Sequence, residues 1–168
     1  VVPSRNPPSE WFYAPCWKQH FCPSDDALSI NPVITNTWLL LLDISGVGAR
    51  LQERLESGGH QVVVVRPGNS FSVCADGSCT VQPQRFGDYI ALFNELQRRA
   101  SMPGRIVHLW NVSQDHSSSF DEYQSSGFYS LLYLAQVLGR QPATSTVQID
   151  VISSGLQEVT GAESTIPE

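Results

Sequence analysis

The stretch Trp38-Leu39-Leu40-Leu41-Leu42-Asp43-Ile44-Ser45-Gly46-Val47-Gly48-Ala49-Arg50-Leu51 decides the fold. Its apolar run from Leu39 to Asp43 is too short for a helix and lacks polar alternation, which marks a strand buried on both faces. Such a strand belongs in the middle of a parallel sheet. Ser45 is placed to cap a helix in which Val47, Leu51 and Leu55 recur every four residues, and Gly58-Gly59 is placed to end it. A second apolar run, Gln61 to Val65, completes a β-α-β unit, whose crossover is right-handed in nearly all proteins. Further along, Phe71 to Ala75 and Ser78 to Gln82 flank an Asp76-Gly77 turn and read as a small antiparallel hairpin. Asp88 is expected to open a helix with Tyr89, Leu92, Phe93 and Leu96 on one face, stopped by Met102-Pro103-Gly104 ahead of a strand from Arg105 to Trp110. The unit then repeats. Tyr123, Gly127, Leu131, Leu134 and Leu138 are spaced for a helix over Phe120 to Leu138, and Thr146 to Ile152 reads as a closing strand. Strands alternating with helices imply a parallel sheet covered on both sides.

The chain has 168 residues, 41% hydrophobic and 15% charged, which suits one domain rather than two. Residues 1–10 hold three prolines and two serines and read as a linker. Trp11-Phe12-Tyr13-Ala14-Pro15-Cys16-Trp17 is an aromatic, strand-like run in which Pro15 removes one ladder donor, as suits a sheet edge. A polar, turn-rich loop from Pro23 to Asn36 follows, and residues 161–168 form a short polar tail. Net charge is −6 and the ten basic residues are scattered, so no stripe exists to track a phosphate backbone and no nucleic-acid partner is expected. The longest apolar stretch is far short of the ~20 residues that cross a bilayer. No membrane partner is expected, and the expected location is the cytoplasm.

Several kinds of chemistry fail on residue types. A short-chain reductase needs a tyrosine acid with a lysine four residues later to lower its pKa. Lys18 is the sole lysine and position 14 is Ala14, so no tyrosine of the chain has that partner. There is no Gly-x-Ser-x-Gly elbow, and no cysteine sits beside a histidine at an evident helix start. Cys16, His20 and Cys22 are a weak ligand set, Cys16 with Cys22 and Cys74 with Cys79 being spaced wider than the pairs that grip zinc, so no metal is expected. Cys74 and Cys79 are placed to face each other across the hairpin, and reduced thiols are the expected state. His60 and His108 lie at or within strands, where a packed imidazole is commoner than a catalytic one. His116 beside Asp115 reads as a solvated loop pair. Strand, Gly46-Val47-Gly48, then helix is where a dinucleotide fold keeps its phosphate loop. The loop is degenerate, because Leu51 stands where the third glycine belongs and Arg66-Pro67 where an acid would bind ribose. Arg66 is compatible with a 2′-phosphate, which keeps an NADP-binding oxidoreductase domain as an alternative. The plainer reading is that Gly46 and Gly48 make only the tight turn.

Taken together, WFYAPCWKQ (Trp11 to Gln19), WLLLLDISGVGARL (Trp38 to Leu51), VVVVRPG (Val62 to Gly68), RIVHLW (Arg105 to Trp110) and SLLYLAQ (Ser130 to Gln136) resemble the ketoreductase region of modular polyketide synthases, specifically its N-terminal structural half. The resemblance covers roughly residues 11–160. It implies an α/β, truncated Rossmann-like fold with a mostly parallel sheet flanked by helices, a small β-hairpin and an N-terminal edge strand. It further implies no catalytic residue and no cofactor on this chain. NADPH belongs on a partner catalytic subdomain that reduces a β-ketoacyl chain carried on acyl carrier protein. Trp11, Phe12, Tyr13, Cys16 and Trp17 match the strand that extends the partner's sheet, and other neighbours include further synthase domains, among them an inserted enoyl reductase. A module serving only dimerisation or docking is the remaining alternative.

Overall fold

The computed structural model describes residues 37–112, 119–141 and 146–155. The aromatic run from Trp11 to Trp17, the Cys16, His20 and Cys22 group, the Asp115 and His116 pair, the 1–10 linker and the 161–168 tail lie outside the described residues.

Among the described residues, six strands form one sheet in the order β3-β4-β2-β1-β5-β6, parallel throughout except for the β3–β4 hairpin. The strands are β1 (Thr37–Leu41), β2 (Gln61–Pro67), β3 (Ser72–Val73), β4 (Cys79–Val81), β5 (Arg105–Asn111) and β6 (Gln148–Ser153). As expected, β1 is central, every residue of it buried, with Leu39 paired to Val63 on one side and Ile106 on the other. It starts two residues earlier than the apolar run and ends at Leu41, with the Leu42 N–H still donating to the Val65 carbonyl at 2.9 Å. β6 starts two residues later than expected.

Alternation along the strands sorts the core into two layers. Leu39, Leu41, Val63, Val65 and Ile106 pack beneath α2 (Phe86–Arg98) and α4 (Ser130–Leu138), whose Tyr89, Leu92, Phe93, Leu96, Leu134 and Val137 close that face. Trp38, Leu40, Leu42, Val64, Val107 and Leu109 face the opposite way, beneath Leu51 and Leu55 of α1 (Val47–Ser57). The expectation that helices cover both faces throughout holds for β1, β2 and β5 but not at the β6 edge. There Val151 and Ile152, on opposite faces, stay 52% and 41% exposed. Among the described residues α1 is the only helix in the second layer, and it does not reach that far.

Local departures from the sequence reading have local causes. α2 begins at Phe86, not Asp88; the Asp88 carboxylate, inside the first turn, accepts the Gln82 N–H at 2.9 Å and ties the hairpin's exit to the helix. The chain leaves α2 through Ala100, at φ 52, so the stop precedes Met102-Pro103-Gly104. The expected long helix is three segments in one run: α3 (Phe120–Tyr123), a π-helical turn (Gln124–Tyr129) and α4. Across the hairpin Cys79 pairs with Val73, not Cys74, and both cysteines are free thiols. Among the described residues no helix is long and apolar enough to cross a membrane.

Candidate functional site

The chain passes from β1 to β2 on one side and later to β5 on the other, so connections leaving the carboxyl ends of β1 and β5 diverge. Open α/β sheets bind ligands in the crevice at this divergence. Here that crevice is lined by Leu42, Asp43, Pro67, Trp110, Val112 and Tyr123, among others, and holds about 160 Å³. Ligand pockets run roughly 300–1,000 Å³. The space is close to that of an apolar cavity of ~150 Å³ that accommodates a single benzene ring.

The phosphate position at the head of α1 is filled from within. Asp43, the second residue past β1, aims its carboxylate at the helix N-terminus: Oδ1 accepts the Gly48 N–H at 2.6 Å and Oδ2 the Val47 N–H at 3.2 Å, while the Ser45 hydroxyl donates to Oδ2. These are the donors, at the positive end of the helix dipole, that a dinucleotide fold offers to pyrophosphate. Burial works to raise the Asp43 carboxyl, but the hydrogen bonds from Ser45, Gly48 and Val47 outweigh it and hold the group below the ordinary aspartate range. Ser45 therefore does not cap the helix, contrary to the sequence reading; the N-cap residue is Gly46 and Asp43 supplies the anion. The signal was present in the sequence as an aspartate leaving the strand five residues before the second glycine of the loop.

The two loop glycines have different jobs. Gly46 adopts φ 93, a left-handed turn with open space where a side chain would project. Gly48 is there for proximity: a Cβ on it would lie 2.4 Å from Leu42 Cδ2 and 2.7 Å from Asp43 Oδ1. Close helix–strand approach, the task of the missing third glycine, thus falls to Gly48, and the reading of both residues as turn-makers holds for Gly46 alone. Arg66 is not gathered with them. Its neighbour Pro67 lines the crevice, whereas Arg66 lines a separate groove beside β2. Among the described residues, then, the helix-head donors are taken by Asp43, the crevice holds about 160 Å³ and Arg66 lies in a separate groove.

One buried polar network borders the crevice. Gly127, in the π-helical turn, abuts Asn111 at the end of β5, where a Cβ would come within 2.2 Å of Asn111 Nδ2. Ser126 Oγ lies 2.9 Å from Asn111 Oδ1 and 2.8 Å from the Glu122 carbonyl. Ser130 Oγ donates toward the carbonyls of Ser126 and Gly127, so its lone pair accepts the N–H of His108 Nε2 at 2.8 Å. His108 is completely buried and desolvation pulls its pKa down to about 4, so the ring is neutral at neutral pH. His108 is the packed imidazole expected from its strand position. The π-helical turn and the Gly127–Asn111 contact carried no sequence signal, since a one-residue widening of a helix leaves its apolar spacing nearly intact.

Comparison with known proteins adds the following. The family described as "Beta-ketoacyl synthase-like, N-terminal" matches residues 37–158. Among solved structures, a keto acid-selecting NRPS module with adenylation, ketoreductase and pseudo Asub domains is 23% identical with a TM-score of 0.63, over 74% of this chain and 10% of that one. An N-terminal ketoreductase from the macrolactin assembly line is 18% identical with a TM-score of 0.56, over 70% of this chain and 24% of that one. No curated protein matches. The chain spans only a small part of either structure, and at these identities the likeness is one of fold. It bears out the mostly parallel α/β architecture and agrees with the ketoreductase-region resemblance read from the sequence.

Proposed function

The chain belongs to the Beta-ketoacyl synthase-like, N-terminal family, and from that premise we propose that it is a non-catalytic structural subdomain, stabilising the catalytic ketoreductase subdomain of a modular synthase. In this role it supports NADPH-dependent reduction of a carrier-bound β-ketoacyl intermediate without contacting coenzyme or substrate. The observation that carries the reading is the Asp43 carboxylate on the Val47 and Gly48 N–H groups. A fold that fills its phosphate site with its own anion keeps the helix-to-strand geometry of a dinucleotide domain while giving up the ligand. The absence of any Tyr-x-x-x-Lys pair points the same way. In the proposal Trp11, Phe12, Tyr13, Cys16 and Trp17 supply the contact with the partner subdomain, and the remaining neighbours are further domains of the synthase.

The test is a pair of titrations on the full chain. Calorimetry with NADPH and with NADH gives no binding heat, and adding the chain to the separately produced catalytic subdomain of the same synthase raises that partner's thermal midpoint and its rate of NADPH oxidation. Micromolar NADPH binding that Gly46→Asp abolishes would instead establish the oxidoreductase alternative. Self-association in sedimentation, with no effect on the catalytic subdomain, would establish the dimerisation module.

A further inference from the structure

The proposed function makes no use of the groove on the outer side of β2. β4 pairs with β2 only at Val65, Arg66 and Pro67, so among the described residues the first half of β2, Gln61 to Val64, has a strand neighbour on its β1 side alone. Main-chain groups of successive strand residues point to opposite sides. Val65 O accepts the Leu42 N–H on the β1 side, whereas the Gly68 N–H reaches Val81 O on the β4 side. Even-numbered residues of β2 therefore face outward, and the N–H groups of Val62 and Val64 meet no strand. The Val64 side chain is buried in the core layer beneath α1, whereas Gln61 is exposed and Val62 half-buried, so the outward main chain of this half-strand borders an open groove.

A groove of about 310 Å³ runs along this half-strand, bounded by α1, the hairpin turn and the end of α2. Four charged side chains line it, and three are already engaged. Glu56 accepts from Gln52 at 2.8 Å, Asp76 accepts from the Ser78 N–H and hydroxyl, and Arg99 is held by Glu95 at 2.7 Å and by the Gly77 carbonyl at 2.8 Å. Among the described residues Arg66 makes no side-chain hydrogen bond or ion pair, and its charge reaches Asp76 only at longer range. Among the described residues the groove thus offers donors: two main-chain N–H groups with no strand opposite them and a guanidinium.

We propose that the open half of β2 receives an extended polypeptide segment of the synthase as an added strand, with an acidic side chain of that segment against Arg66. A strand rises about 3.3 Å per residue, so four residues match the open half. Main-chain pairing supplies the affinity and the acid supplies the selectivity, as in other cases of strand addition. A small free anion satisfies Arg66 but leaves the edge donors unmet, which is why a polypeptide is the better match. That the segment comes from the synthase rests on the proposed function, whereas the open edge and Arg66 lie on the opposite side of β2 from the crevice and are tested apart from it.

The probe is the peptide acetyl-Thr-Val-Glu-Val-Thr-amide, compared with the same peptide carrying Lys at its centre, each with the full chain. The Glu peptide binds at least about tenfold more tightly than the Lys peptide, and Arg66→Gln, a surface change, removes that preference. By NMR, saturating Glu peptide slows amide exchange at Val62 and Val64 and leaves Val63 and Val65 unchanged. Equal binding of the two peptides overturns the proposal, as does unchanged exchange at Val62 and Val64. Displacement of the peptide by inorganic phosphate at equal concentration also overturns it, in favour of a simple anion site.

Discussion

Replacing Asp43 by alanine tests whether an internal anion fills the phosphate position at the head of α1. Its carboxylate accepts the Gly48 N–H at 2.6 Å, the Val47 N–H at 3.2 Å and the Ser45 hydroxyl. Losing a side-chain cap costs about 0.5–2 kcal/mol, and losing a negative charge from the helix head a further 0.3–1 kcal/mol or so. Asp43 is half-buried, so solvent partly screens the charge, and about 1.5–2 kcal/mol is the reasonable sum. For a chain of this length that lowers the thermal midpoint by roughly 3–8 °C. Asp43→Asn keeps the shape and loses only the charge, so it falls between alanine and wild type at neutral pH. The folded carboxyl lies below the ordinary aspartate value of 3.8, so its contribution is complete above that pH and is lost as pH falls through the depressed folded value. Wild type and Asp43→Asn therefore converge in acid. Urea denaturation from pH 3 to 8 measures this, and calorimetry with inorganic pyrophosphate asks whether the vacated N–H pair now binds an anion. Wild type and Asp43→Ala of equal stability at pH 7, or pyrophosphate binding equally to both, would show that Asp43 plugs nothing.

His108 makes the chain acid-sensitive in a defined window. The ring titrates near 6.5 when unfolded and near 4 when folded, so the neutral form's stabilisation is complete above pH 6.5 and is lost as pH falls from 6.5 to about 4. The loss is of order 3 kcal/mol over that interval, and His108→Gln removes that slope from denaturation curves; identical slopes in the two proteins would refute the assignment. Gly48→Ala drives a methyl into Leu42 and Asp43 and costs about 1–3 kcal/mol by overpacking. Gly46→Ala meets no neighbour, yet costs about 1–2 kcal/mol from its left-handed backbone alone; crystal structures of the pair show Leu42 displaced only in the Gly48 variant. Leu39→Ala, at the completely buried centre of the sheet, destabilises by about 2–5 kcal/mol in urea with the m-value unchanged.

The sequence alone determined the elements whose evidence is local. The apolar runs of β1, β2 and β5 announced strands buried on both faces, the spacing of Tyr89, Leu92, Phe93 and Leu96 announced one apolar helix face, and Asp76-Gly77 announced the hairpin. A missing lysine partner was as legible in the string of residues as it is in three dimensions. Tertiary structure decided whatever depends on two segments meeting. That Asp43 rather than Ser45 serves α1 turns on where the carboxylate points once β1 has ended, and that Gly48 must be glycine turns on Leu42 lying beneath it. The separation of Arg66 from Gly46 and Gly48 follows from the two sides of β2, which periodicity does not distinguish. The open half of β2 exists because β4 is too short to cover it, a fact of register between strands. Local propensity is written along the chain, but proximity is produced only by packing, and here proximity settles what the glycine loop and its neighbours can hold.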